Sequence, residues 1–560
     1  MTPFTIICPG GQVANHLRSH IRQGRWNKTL TLGGTITANS NATIASTIAG
    51  TTGLIKNGTG TLTFNTGNNT YSGGIVINAG MVAMGANNGA ATNVFGKGTI
   101  TFGGSSSLQP TYNSGGTVLT NAVQVNSGVT MTISHPSSYY YVKSSGPLSG
   151  DGTYALSGAS AQTSFDTWSS PSNTFTGALY DPAGINICGG FIVNSLPDST
   201  NKISLGDISG YAGAFQLGSG TATPLVFNQR QIEMLGTVVG AQIVNNNTTA
   251  SITINTPLLV TGVGAKTLTL SAVAGPTNVW GGNIANGNLG GTNSGTISVT
   301  KSGTGIWVLS GTNTYSGATT VSAGTLLVNN TAGTGTGTNA VTVSSGATLG
   351  GTGTLGGAAT FKAGAKALFT VTPTGTGDNN STLLTITGVM TFTNTSVHLT
   401  LPANLGAGTY TLAASSATAV TNGLFSIVVD SGSFATGLTA TNIALDATGQ
   451  KLVLNLTGAT GHAVQLISTG GLSLKMAAGS TSSGKYSSKS AGQNMSGTAL
   501  TLTATHGTPG GKWTLLHSTN LAIPLSQWET NCTGIYDNNG NLSTDILNTT
   551  TNQIGFFILK

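Results

Sequence analysis

The chain has 560 residues, 84 of them glycine, with only 6% Asp, Glu, Lys or Arg and a formal net charge of +7. An average domain has about 7% glycine and about 25% charged residues; with Glu only at Glu233 and Glu529, long solvent-facing helices laced by Glu–Lys pairs are excluded, and the modest basic excess, with no basic face interleaved with aromatics, argues against a nucleic-acid partner. Disorder is excluded as well, because 38% of the residues are hydrophobic and they recur in short alternating clusters able to bury a long, thin core.

Residues 1–29 form an atypical basic segment containing Arg18, Arg22, Arg25 and Lys28. It lacks the order of basic region, apolar stretch and small-residue cleavage site that marks a secretory signal. His16 and His20 would share one face of a short helix, but no third ligand stands near them, so no metal site is assigned. No run of 18 apolar residues occurs anywhere, so no transmembrane helix is predicted.

From residue 30 to 457 the pattern predicts an all-β, right-handed parallel β-helix. Strands of four to six residues, such as TLTF (61–64), and shorter ones, such as VTV (341–343), alternate in and out between Gly, Asn and Thr corners. A coil of this kind cannot bury its inner face alone, but coils stacked about 4.8 Å apart can. At about 20–25 residues per coil, the stretch would make on the order of 18–20 coils, a rod on the order of 90 Å long. Two segments are internally similar: GTGTLTFNTGNNTYSGGIVINAGMVAM (58–84) and GTGIWVLSGTNTYSGATTVSAGTLLV (303–328). They align Tyr71 with Tyr315, Gly73 with Gly317 and Gly80 with Gly324. Looser strand–turn–strand copies occur at 98–109, 251–273 and 340–371. A β-propeller would show a blade repeat of about 40–50 residues, and sandwich arrays would show Pro-rich linkers; the sequence has neither.

This unit, with its lead-in Lys56–Gly60 and Lys301–Gly305, resembles the autotransporter-associated β-strand repeat of bacterial autotransporter passengers and of large exported proteins of Verrucomicrobia-like bacteria. The resemblance is close at 54–84 and 299–330, and looser over 30–457. It implies a right-handed parallel β-helix exported to the cell surface or beyond. Residues 458–560 comprise a Ser/Gly/Lys-rich linker (479–493) and a segment that resembles the small C-terminal β module of the same exported proteins, with Trp513, Trp528, Phe556 and Phe557 expected as its core. That leaves far fewer residues than the membrane barrel of a self-translocating passenger needs, so export by a separate system is expected.

Polysaccharide-active β-helix enzymes need carboxylates converging on one bond. Asp151, Asp166, Asp181, Asp378, Asp430 and Asp446 are isolated in sequence, and Asp198 and Asp207 read as turn residues. The His residues at 135, 398, 462, 506 and 517 are single. There is no G-x-S-x-G elbow and no phosphate loop. Asp537–Asn541 has a calcium-loop look but lacks the Glu that closes one, and reads as a hairpin turn. Cys8, Cys188 and Cys532 lie far apart without metal-ligand spacing and read as unpaired thiols, with one long-range disulfide as the alternative. No catalytic, cofactor or metal residue is therefore assigned. The expected function is an extracellular or cell-surface structural and adhesive solenoid whose partners are itself, end to end or laterally, or surface glycans. A polysaccharide-binding or polysaccharide-degrading β-helix is the alternative.

Overall fold

The computed structural model describes residues 6–8, 30–31, 34–85, 93–110, 117–136, 140–158, 162–181, 187–208, 211–235, 239–287, 295–373, 383–403, 405–422, 425–434 and 438–458, and then 463–468, 473–475, 500–505, 512–518, 529–535, 537–538, 542–546 and 556–559. Among them every regular element is a strand and there is no helix. The chain divides into two compact units, one of Met1–Ala367, Leu384–Thr395 and Ser415–Leu424, the other of Leu368–Leu383, Ser396–Ala414 and Phe425–Lys560.

The first unit is a parallel β-solenoid. One seven-stranded sheet climbs from Ile6–Cys8 through Gly34–Ala38, Leu54–Asn57, Ile75–Ile77, Ile100–Phe102 and Val123–Val125 to Leu148–Gly150. A ten-stranded sheet runs from Ala42–Ile44 to Leu259–Val260, and a fourteen-stranded sheet from Thr117–Leu119 to Val420–Asn422. A further sheet begins at Leu225–Phe227 and continues in this unit through Asn278–Trp280, Ile306–Leu309 and Thr325–Val328 to Thr348–Gly351. Strands from successive coils pair in parallel; the one antiparallel excursion among this unit's described pairs is the short Asp207–Ile208 strand against Ala212 and Tyr211. Along the main path of the fourteen-stranded sheet, the interstrand spacing gives a stack about 60 Å high. Coils are less uniform than the expected 20–25 residues: Val341 pairs with Ala359, but Leu268 pairs only with Val299. The longer coil carries its extra chain between Asn278–Trp280 and Ile297–Ser302.

The core is a set of in-register columns. Leu54, Ile75, Ile100, Val123 and Leu148 pair in sequence and are all buried. So do Phe191, Phe215, Ile243 and Leu270. Burying each such side chain contributes about 1.5–3 kcal/mol, so the columns reward one register and penalise slippage.

In the second unit the pairing changes. Ser396–Thr400 is parallel to Ser426–Ser431, whereas Lys451–Gly458 is antiparallel to Leu438–Leu445. Beyond residue 458 the described strands form a four-stranded sheet of Ser473–Lys475, Ala463–Ser468, Leu500–Thr505 and Leu542–Ile546, and a three-stranded sheet of Glu529–Ile535, Lys512–Ser518 and Phe556–Leu559. Both are antiparallel. This is the stretch in which the sequence places a small C-terminal β module. Trp513, Phe556 and Phe557 lie on strands of the three-stranded sheet, their side chains outside what is described, and Trp528 falls outside the described residues.

Candidate functional site

The two similar segments fold into the same local device. Lys56 and Lys301 each stand in an inward column, at a position where neighbouring coils place Ile77 and Val321, and both are fully buried. The Lys56 ammonium donates to the carbonyls of Asn57, Gly58 and Ala79 at 3.0, 2.8 and 2.9 Å. The Lys301 ammonium donates to those of Ser302, Gly303 and Ala323 at 2.6, 2.9 and 3.0 Å. Each lysine thus fastens its own corner to the corner of the next coil. Burial pushes both ammonium groups down to about 8. Asn69 and Asn313 complete the device: their side-chain oxygens accept from the backbone N–H of Ile48 and Ile284. Their amide nitrogens donate to carbonyls further along, at Val94 and Gly335. Tyr71 and Tyr315 are buried beside them, and the Tyr315 hydroxyl pairs with that of Thr319 at 2.7 Å. The aligned position in the other copy is Ile75, and the Tyr71 hydroxyl has no hydrogen-bond partner among the described residues.

Stacking also brings together titratable groups that are distant in sequence. Asp166 accepts from the Tyr154 hydroxyl at 2.5 Å and from the backbone N–H of Val142 at 2.8 Å, and lies 3.1 Å from His135 Nε2. Burial, then the neighbouring Asp166 carboxylate, raises the Tyr154 pKa well above its ordinary value. Asp166 and Tyr154 are 0% and His135 2% exposed, so the cluster is sealed from any substrate. Glu233 is buried against the Ser204 hydroxyl at 2.6 Å, with Lys202 3.4 Å away. Arg230 is fully buried; it donates to the carbonyls of Pro197, Gly177 and Asn201, and burial lowers its pKa to about 10. No buried role is assigned to Arg230, Lys56 or Lys301 from sequence.

Asp198 is a corner residue. Its carboxylate accepts the backbone N–H groups of Asn228, Gln229 and Arg230 in the following coil, and of Ser199. Burial pushes its pKa up, but these hydrogen bonds outweigh burial and hold it below the usual carboxylate value. Asp207 sits in the short antiparallel excursion. Asp446 closes a turn by accepting from Thr448, Gln450 and Lys451. Asp430 lies 2.9 Å from His398 Nδ1. Asp378, His16, His20, His462 and His506 fall outside the described residues, as does most of Asp537–Asn541. Among the described residues no group of three or more His, Cys, Asp or Glu could hold a metal ion.

The outward surface of the fourteen-stranded sheet is the most regular feature. Thr269, Thr300, Thr320, Thr342, Thr360 and Thr391 pair in register over successive coils, all half-buried. Two residues along each strand, Ser271 pairs with Ser302. The arrangement is a row of hydroxyls and methyls about 4.8 Å apart, flanked by further hydroxyls.

Residues 54–84 and 299–328 match the family described as Passenger-associated-transport-repeat, the repeat that the two segments resemble in sequence. No curated protein matches the chain.

Proposed function

We propose that a chain carrying two passenger-associated-transport repeats in a parallel solenoid works outside the cell, as a structural and adhesive surface element. The two repeat matches carry this reading, because the repeat is named for passengers, the exported portions of their proteins. The geometry supports it. The chemistry shared by the two copies, a buried Lys and a buried Asn, holds coil to coil. What the solenoid offers outward along its longest sheet is a periodic row of threonine hydroxyls suited to many weak contacts with glycans.

Protease shaving of intact producing cells, followed by detection with an antibody to the solenoid, tests the location. Loss of signal without lysis is expected, and a signal protected until lysis refutes the surface reading. Adhesion is tested by retention on immobilised polysaccharides. Replacing Thr300, Thr320 and Thr342 by Val, which fits the strand and removes only hydroxyls, is expected to abolish retention.

A further inference from the structure

We propose that Ser426–Ser431 is a self-association surface, on which a second copy of this chain docks through its own Ser426–Ser431, antiparallel, about a twofold axis at Val428. This inference goes beyond the surface role and does not depend on it.

The strand is the last of its sheet, and among the described residues it pairs on one side only, with Ser396–Thr400. Val397 and Leu399 face inward and are fully buried, and Ile427 and Val429 pair with them in the same rows. Yet Ile427 is 38% and Val429 40% exposed, and Val428 between them 38%. Among the described residues the other exposed large apolar side chains, Val118, Tyr180, Val226, Val263 and Ile535, are single in the sequence. Ile427 and Val429 are therefore core positions lacking the next strand, on an edge of the kind that accepts strand addition.

The sequence of the edge points to a second copy as the occupant. A twofold axis normal to the sheet keeps inward residues inward and sets Val428 opposite Val428 and Ile427 opposite Val429, with Ser426 facing the bulge at Asp430. Apolar meets apolar in the inward row, so the core runs on from one copy into the other. The one charge on the strand meets a serine hydroxyl rather than its own copy, which avoids the like-charge opposition that destabilises strand pairs. Asp430 is already held by His398 on the neighbouring strand. Such an interface is isologous and closes as a dimer instead of propagating.

Sedimentation velocity of the full-length chain over a concentration series tests the proposal. A monomer–dimer equilibrium is expected. Val428→Lys, which opposes two ammonium groups at the axis, should raise the dimer dissociation constant at least about tenfold. Val428→Glu should do the same, and an equimolar mixture of the two variants should dimerise again. Where a lysine or glutamate variant fails to fold, cross-linking decides. Under mild oxidation Val428→Cys should give a covalent dimer and Ser426→Cys should not, because only position 428 meets itself within disulfide reach; the wild-type chain, with Cys8, Cys188 and Cys532, gives the background. A wild-type chain that stays monomeric at every concentration, because its own chain or nothing covers the edge, overturns the proposal. So does a dimer indifferent to Val428→Lys, or cross-linking through Ser426→Cys as readily as through Val428→Cys.

Discussion

At the scale of single residues, the two repeat copies form an internal control. Tyr315 donates to Thr319, or accepts from it, inside the core, whereas the copy with Tyr71 has Ile75 at the position aligned with Thr319 and the Tyr71 hydroxyl is left without a described partner. A buried hydrogen bond contributes about 1 kcal/mol net, and an unmade one costs its desolvation. Tyr315→Phe should therefore lower stability by about 1 kcal/mol, while Tyr71→Phe should be neutral or stabilising; chemical denaturation of each variant measures the difference. The lysines have a pH signature. Their pKa is lowered by burial from 10.5 to about 8 in the folded chain. Between about pH 8 and 10.5 the unfolded chain thus binds protons that the folded chain does not, and stability rises with pH across that window. The buried tyrosines, whose pKa burial raises, act in the opposite direction only above about pH 10. The denaturation midpoint should increase from pH 8 to about 10 and lose that increase in the Lys56→Met, Lys301→Met double variant. A flat wild-type profile would mean that the three carbonyls around each ammonium keep it charged. At neutral pH each single replacement leaves three part-buried carbonyls without their ammonium donor and should cost about 1–2 kcal/mol.

At the scale of strands and corners, the joint between coils is made of positions that admit no side chain or no other one. Gly80 and Gly324 hold φ of 71° and 62°, and a Cβ at either would lie 2.5 and 2.3 Å from the carbonyl oxygens of Gly58 and Gly303. Gly324→Ala should cost about 2 kcal/mol or more, since strain and backbone contact add. Asp198 works by charge instead. Its folded pKa lies below the unfolded value, so its contribution is present above the unfolded pKa and is lost as pH falls through the folded one. Asp198→Asn should be less stable than wild type at pH 7, and the gap should narrow below about pH 4, as thermal melts at the two pH values would show. These corners explain what could be read in the sequence. Alternating strands such as 61–64 and 341–343, and the glycines and tyrosines shared by the two copies, are local signals. The Asp166, Tyr154 and His135 cluster depends on which residues stack across coils, and coil length varies from Val341–Ala359 to Leu268–Val299, so no fixed spacing foretells it. Lys56 and Lys301 did leave a trace, the shared Lys-x-Gly-Thr-Gly, but composition assigns lysine to the surface until a column of Ile77 or Val321 is seen beside it.

At the scale of the whole molecule, the low charge content sets how stability responds to its surroundings. Only 6% of the residues are charged, and the ion pairs among the described residues include His135–Asp166, Lys202–Glu233 and His398–Asp430. Raising ionic strength from about 0.05 to 0.5 M shortens the screening length from roughly 14 to roughly 4 Å and weakens exposed pairs and long-range repulsion. Buried columns and carbonyl-bound ammonium groups lie where mobile ions do not reach. A chain of 560 residues held by apolar columns and backbone ladders should therefore keep its thermal midpoint within about 2 °C over that range, a shift equivalent to about 2 kcal/mol. A midpoint that falls steeply with salt would place the main cohesion in surface electrostatics and contradict the column account.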